Sequence, residues 1–356
     1  MSARDTPADH PLDQLAASVV AEDTAPTAAV GWGALMQGEV GIHVGGDTAG
    51  VFDLASVTKV LTALAWARSG LDVFATIRHW LPELRETASA DVSIEALLGH
   101  RGGLVAHLEL FAKVRDGLAT AIDVPAAYVR VANARREETG ELPALYSDLG
   151  YQLAGLALAR ALGVVDAGAA IEALVVQPLG LGAALGTARS LGDVRYVPTE
   201  WVRWRSPAGP LCGIVHDENA WVLTGTGASG HAGMFGTIAA VLRIGLETLR
   251  MLRGTGPLAV EHDIRWLARP IPGTTWRAGF DGKSASGSSA GAFASSSSFG
   301  HLGFTGTSLW IDPERERVTS LLCNRVNPSR DRVPAAGGIK VTRPRVHDAL
   351  FRLASR

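Results

Sequence analysis

The chain has 356 residues, long enough to bury a full core as one large domain or as two interleaved ones. Apolar residues make up 47% and charged residues 19%, which excludes a disordered chain. With 33 basic and 35 acidic residues the net charge is −2, and no basic run occurs, so neither nucleic acid nor a membrane is expected as a partner.

Residues 1–11 read as a flexible tail with no basic region leading into an apolar run, so no secretory signal is expected. No uninterrupted apolar segment is long enough to span a bilayer. The 2 cysteines, Cys212 and Cys323, lie far apart in no metal-like spacing. Low cysteine usage without an export signal points to a reducing, cytoplasmic setting.

Helical periodicity covers residues 12–21. Residues 28–36, a Gln37-Gly38 turn and residues 39–44 follow as a two-stranded hairpin. Next comes Phe52-Asp53-Leu54-Ala55-Ser56-Val57-Thr58-Lys59 and an apolar run to Ala67, broken only by Thr62. A helix with no polar face is normally buried, yet Ser56 and Lys59 stand at its start. Three residues apart, two helical side chains share a face. A lysine entering the interior must be paired or give up its proton, and a base beside a serine hydroxyl makes a candidate nucleophile. The bland alternative is that Ser56 caps the helix and Lys59 reaches to water.

Residues 71–180 read as mostly helical, with segments at 94–98, 108–116, 124–136, 151–162 and 167–176. Residues 181–230 read as irregular, their tryptophans Trp201, Trp204 and Trp221 serving as core or loop anchors rather than cleft walls. A helix is expected over 234–252. The Ser/Gly/Ala stretch 282–298 looks like a flexible linker. Strands are expected at 304–311 and 317–326, around an Asp312-Pro313-Glu314-Arg315 turn, and a closing helix at 345–353. Strands at both ends with helices between imply an α+β fold, an antiparallel sheet built from both chain ends and flanked by helices, with a mostly helical inserted subdomain. The expected division is 12–75 with 231–356 as the sheet subdomain, and 76–230 as the helical one.

Two further stretches draw attention. Tyr146-Ser147-Asp148 precedes a predicted helix, where Ser147 or Asp148 alone would read as a cap. Gly300-His301-Leu302-Gly303-Phe304-Thr305-Gly306-Thr307 is glycine-spaced and would let a ligand lie close to the backbone. Gly225-Thr226-Gly227-Ala228-Ser229-Gly230 fits a dinucleotide fingerprint literally, but the acid at the required distance, Glu247, falls inside a predicted helix. The histidines show no zinc-site spacing, so no metal or cofactor is expected. His231, set among glycines, reads as cleft border or loop packing.

Taken in order, Ser56-Val57-Thr58-Lys59, Tyr146-Ser147-Asp148 and His301-Leu302-Gly303 resemble the S-x-x-K, Y-x-N and K-T-G (or H-x-G) motifs of the serine β-lactamase and penicillin-binding-protein superfamily. The likeness is to its class C, family VIII esterase, D-aminopeptidase and D,D-carboxypeptidase branch. Leu97-Leu98-Gly99-His100-Arg101-Gly102-Gly103-Leu104 and Gly230-His231-Ala232-Gly233-Met234-Phe235 resemble its connecting segments, and the likeness runs over roughly residues 12–353.

The resemblance implies Ser56 as acylated nucleophile, Lys59 and Tyr146 as the groups that share its proton, and the N–H groups of Ser56 and Phe304, just after Gly303, as the oxyanion hole. It departs in two places. Asp148 stands where the family commonly has Asn, and near Lys59 it would raise the lysine pKa. His301 stands where β-lactamases hold a substrate carboxylate with Lys, and it is mostly neutral at pH 7. Both departures suit an ester, an amide without a free carboxylate, or an amine-bearing substrate bound by Asp148. The function expected is hydrolysis of a small-molecule ester, amide or peptide. A D,D-carboxypeptidase or β-lactamase proper, an acyltransferase, and a non-catalytic binding protein on the same scaffold remain as alternatives.

Overall fold

The computed structural model describes residues 10–36, 39–137, 143–334 and 337–355. The expected Gln37-Gly38 turn and most of the expected tail lie outside the described residues; His10 and Pro11 instead begin the first helix, Pro11–Ala21, with the His10 ring accepting from the Leu12 N–H.

Seven strands form one antiparallel sheet in the order β2 (Glu39–Gly46), β1 (Ala28–Met36), β10 (Arg317–Cys323), β9 (Ser308–Asp312), β8 (Phe299–Leu302), β7 (Phe280–Gly282), β6 (Trp276–Arg277). The first and last strands of the chain meet inside this sheet, one strand in from its β2 edge, where β1 pairs with β10 in the register Ala28↔Cys323 to Ala34↔Arg317. Strand alternation sends successive side chains to opposite faces. Ala28 and Val30 pack with Leu12, Val19, Val346 and Leu350 of the two terminal helices. On the other face Gly31 and Gly33 let Leu242 and Leu246 of the helix Ile238–Leu252 approach so closely that a Cβ at either glycine would stand 2.7 Å from a leucine methyl.

A second sheet joins β3 (Phe52–Asp53), β5 (Met234–Gly236) and β4 (Leu185–Thr187). It corrects two expectations. The irregular stretch contains β4, and the helix expected from 234 begins only at Ile238, because Thr237 caps it by accepting from the Ala240 N–H. This small sheet also pairs strands from both sides of the division expected at residue 230.

Two boundaries moved, and one stretch proved to be packed. The strand expected from 304 starts at Ser308, since residues 303–307 form a turn closed by Gly303 N–H to the Thr307 carbonyl at 2.7 Å. The closing helix begins at Ile339, six residues early. The Ser/Gly/Ala stretch is no linker: Ala290 and Ala294 pack under Trp310 and Phe351, and Ser295 donates its N–H and hydroxyl to the Asp312 carboxylate at 2.8 and 2.7 Å. Small residues here allow close packing, which composition alone does not distinguish from flexibility. Among the described residues no single helix is long and apolar enough to cross a membrane.

Candidate active site

The helix Thr58–Ser69 is buried along its length from Thr58 to Ala67, as its lack of a polar face requires. Trp66 anchors it by donating to the Ala154 carbonyl at 3.0 Å, and Thr62 donates to that of Gly230 at 2.7 Å. The glycine run before His231 serves this packing. Gly230, at φ 91°, lies so close to the helix Asp148–Leu162 that a Cβ on Gly155 would meet its Cα at 2.9 Å. Glu247, within its helix, pairs with Arg243 and Arg250.

Ser56 sits in a short 3-10 turn, Ala55–Val57, immediately before the helix. Ala55 occupies the left-handed region at φ 46°, a costly conformation for a residue with a Cβ. Buried Asp53 holds it there: one carboxylate oxygen accepts from the Ala55 N–H at 2.8 Å, the other from the His216 N–H at 2.7 Å. Burial, only partly offset by His216 and these N–H groups, raises the Asp53 pKa.

Lys59 is fully buried, with 0% of its surface exposed. Its Nζ lies 2.9 Å from Ser56 Oγ, 2.8 Å from Tyr146 Oη, 2.7 Å from Asp148 Oδ1 and 3.3 Å from the His231 carbonyl. Tyr146 Oη is also 2.9 Å from Ser56 Oγ, which closes a triangle of hydroxyl, amine and phenol. The bland reading of a capping serine and a solvent-reaching lysine therefore fails: neither turn nor helix has a side-chain cap. Burial would depress the Lys59 pKa, but the Asp148 carboxylate and the Tyr146 oxygen outweigh it and the pKa is raised. For Asp148 burial likewise opposes ionisation, yet Lys59 and His107 hold its pKa well below the usual carboxylate range. Burial raises the Tyr146 pKa despite Lys59. The resting triangle thus contains an ammonium, a carboxylate beside it and a neutral phenol.

Tyr146 is positioned by neighbours the motif does not include. His100 accepts the Ser147 N–H on Nδ1 at 3.1 Å, and its ring packs on those of Tyr146 and Trp276, each 4.8 Å away. Asp148 starts its helix and presents Oδ2 to His107 at 3.7 Å, so both its oxygens face cationic or protonatable groups of the protein. His231 is loop packing: its ring bridges Ser229 and Asp217 at 2.8 and 2.9 Å.

His301 lies on β8, only 4% exposed. Burial and nearby Lys59 push its pKa down to about 3, so it is neutral. Nδ1 faces the Leu302 carbonyl at 2.8 Å and must therefore hold the proton, which leaves Nε2 a bare acceptor with no partner among the described residues.

The following turn is riveted to the segment before Ser56: Thr305 and Thr307 hydroxyls donate to the Asp53 and Leu54 carbonyls at 2.8 and 3.0 Å. Gly303 fits because a Cβ there would stand 2.6 Å from the Leu54 carbonyl oxygen. Arg343 donates to the Gly303 carbonyl at 2.6 Å, and Arg325 to the Phe304 carbonyl at 2.8 Å. In a trans peptide the N–H points opposite to the C=O. The Phe304 N–H is therefore aimed away from Arg343.

These groups line one cleft of about 760 Å³, which takes in Ser56, Tyr146, Asp148, His301, Gly303 and Phe304. Sequence reasoning missed His107, His216, Trp276, Arg325, Lys340 and Arg343, which also line it. None lies in a motif, and no local spacing signals them. Trp201, Trp204 and Trp221 do not line it; Trp204 and Trp221 stack edge-on at 5.8 Å, with Arg205 4.5 Å over the Trp221 ring.

The chain matches the family model described as Beta-lactamase over residues 16–342. A Salmonella agona protein named "Putative D-alanyl-D-alanine carboxypeptidase" is 35% identical over 127 residues, which are 32% of this chain and 27% of that protein. A Salmonella heidelberg protein of the same name is 27% identical over 206 residues, 51% of this chain and 45% of that one. The chain thus spans less than half the length of these relatives. Among solved structures, EstCE1, titled a hydrolase with promiscuous acyltransferase activity, superposes with TM-score 0.67 at 18% identity, covering 96% of this chain and 97% of its own. A penicillin-binding protein homologue from Caulobacter crescentus gives TM-score 0.67 at 19% identity, covering 96% and 98%. Such likeness shows the fold, and with the family match over most of its length the chain belongs to the Beta-lactamase family.

Proposed function

We propose that the protein is a serine hydrolase that cleaves small esters or amides through an acyl-enzyme on Ser56. The observation that supports this reading is the closed triangle of Ser56, Lys59 and Tyr146, with edges of 2.9, 2.8 and 2.9 Å. Nucleophile and base within hydrogen-bond reach, with a third group orienting the base, is the general arrangement for covalent catalysis.

The ammonium at Lys59 cannot accept a proton, so the competent form has one proton fewer, shared between Lys59 and Tyr146 as a coupled pair. In that form the pair takes the Ser56 hydroxyl proton as Oγ attacks the carbonyl, and returns it to the leaving group. The N–H groups of Ser56 and Phe304 are the proposed donors to the oxyanion. Each such donor is worth about 3–4 kcal/mol of barrier. Water then releases the acyl group. Asp148 acts in this reading by holding Lys59 in place and charged, because its oxygens are already engaged by Lys59 and His107.

The test is a panel of p-nitrophenyl esters, D-aminoacyl amides, D-Ala-D-Ala peptides, a chromogenic cephalosporin and a thioester donor with an acyl acceptor, run on the wild type and on Ser56→Ala. Ester or amide turnover that disappears in Ser56→Ala supports the reading. Faster turnover of the cephalosporin or of D-Ala-D-Ala peptides would favour a β-lactamase or carboxypeptidase, and transfer from a thioester donor to an acceptor would favour an acyltransferase. No turnover by a folded wild type would leave a binding role.

A further inference from the structure

Among the described residues five carboxylates line the cleft, and four of them are already paired. Glu109 faces Arg115 at 2.9 Å, Asp148 faces Lys59 at 2.7 Å, Asp217 the His231 ring at 2.9 Å and Glu218 faces Arg330 at 2.5 Å. Asp281 is the exception. It has no ion-pair partner among the described residues, and its buried Oδ1 accepts no hydrogen bond. A carboxylate drawn out of water without a counter-charge is costly. Burial accordingly raises the Asp281 pKa, against the weaker hold of Thr275, the Gly282 N–H and Arg277.

Strand geometry explains why the cation nearest in sequence does not serve it. In the β6–β7 ladder Trp276 stands directly across from Asp281, and Arg277 directly across from Phe280. Alternation sends these two pairs to opposite faces. Arg277 is therefore turned away from Asp281: it donates to the Ala268 carbonyl at 2.6 Å and lies 5.0 Å over the Phe299 ring. Trp276 links Asp281 to the catalytic groups, since its ring lies 5.4 Å from that of Tyr146, whose Oη is 2.9 Å from Ser56 Oγ. An indole ring also attracts a cation. Asp148, the carboxylate at which the sequence suggests an amine, is already spent on Lys59 and His107.

We propose that Asp281, walled by Trp276 on the side of Tyr146, is a specificity-determining subsite for a protonated amine that the substrate carries away from the bond to be cleaved. This rests on the reading of the cleft as a substrate site, and it moves the amine from Asp148 to the carboxylate that is still free. An ammonium there supplies both the missing counter-charge and a donor, whereas a neutral group of the same size supplies no charge. One positive charge suits the cleft better than two, because Arg325, Lys340 and Arg343 also line it.

The test is calorimetric binding of ω-amino amides, graded from 3-aminopropanamide to 6-aminohexanamide, against the ω-hydroxy amides of the same lengths. It is run in the Ser56→Ala protein, so that no ligand is turned over. At one length or more the amino amide should bind about tenfold tighter than its hydroxy partner. Adding Asp281→Asn should bring that preference below about twofold and leave binding of the hydroxy amide unchanged, which a merely structural role for Asp281 would not do. Adding Asp148→Asn instead should leave the preference in place. If Asp281→Asn does not fold, Asp281→Ser decides in its stead. Equal binding of each pair at every length, a preference that survives loss of the Asp281 carboxylate, or one abolished by Asp148→Asn alone would overturn the assignment. If the substrate panel shows no turnover, the hydrolase reading fails, and this binding comparison, which needs none, still decides the subsite.

Discussion

The two ends of the cleft are built on opposite principles. Around Ser56 polar groups are saturated: Lys59 contacts four oxygens, Asp148 faces Lys59 and His107, and Tyr146 closes the triangle. Around Arg343 and His301 polar groups are left open, with Arg343 Nε and His301 Nε2 both buried and unpartnered. A saturated cluster fixes geometry and protonation in advance, whereas an unpaired buried donor or acceptor leaves part of its hydrogen-bonding capacity unused. The comparison teaches that the groups of the proposed chemistry are held in place in advance, while the far end of the cleft keeps two buried polar atoms unpaired.

The sharpest way to break the saturated end is to remove the phenol. Tyr146→Phe keeps the ring packed on His100 and Trp276 but deletes the oxygen bonded to Ser56 and Lys59. We expect kcat/KM for the preferred ester to fall by about 10²–10⁴, the usual worth of a positioned acid–base group, with thermal stability nearly unchanged. A loss below fivefold would take Tyr146 out of the proton path.

A smaller effect tests how far Asp148 sets the protonation state. Its carboxylate raises the Lys59 pKa, so the proton that must leave is held to higher pH. In Asp148→Asn the acid limb of the kcat/KM–pH profile should move to lower pH, raising ester turnover at pH 7. An unmoved limb in a folded variant would mean that Asp148 does not control this titration.

A further prediction concerns stability and reaches beyond the saturated cluster. Burial holds His301 and His347 down to about 3, and His100 well below its usual value. The unfolded chain takes up protons at these positions once the pH falls below about 6.5, while the folded chain resists them. Their contribution is therefore complete above that pH and is lost as pH falls towards 3. At pH 5 His301 and His347 should each cost about 2 kcal/mol relative to pH 7, read as a falling urea midpoint at constant m. A midpoint independent of pH over this range would contradict the buried, neutral state.

The sequence made one end of the cleft far more legible than the other. Ser56 and Lys59 are three residues apart, and the apolar run behind them announced burial. Tyr146 and His301 stood in short patterns whose order along the chain mattered more than their surroundings. Arg325 and Arg343 stand in no motif, and burial of a guanidinium depends on which segments pack against it. Lys340 was missed more simply: periodicity started the last helix at 345, and its real first turn lies at Ile339. The same limit explains β4 and the packed Ser/Gly/Ala stretch, whose structure comes from distant partners, β5 for the one and Asp312 with Trp310 for the other. Asp148 was legible as a departure from the motif, but its engagement by His107 required the fold.

The most direct test of the account is to treat the folded protein with a fluorophosphonate and map the adduct by mass spectrometry. The account predicts a single adduct on Ser56, absent in Ser56→Ala and slowed in Tyr146→Phe. An adduct on another residue, or none in a folded protein at a pH where Lys59 and Tyr146 share one proton fewer, would contradict it.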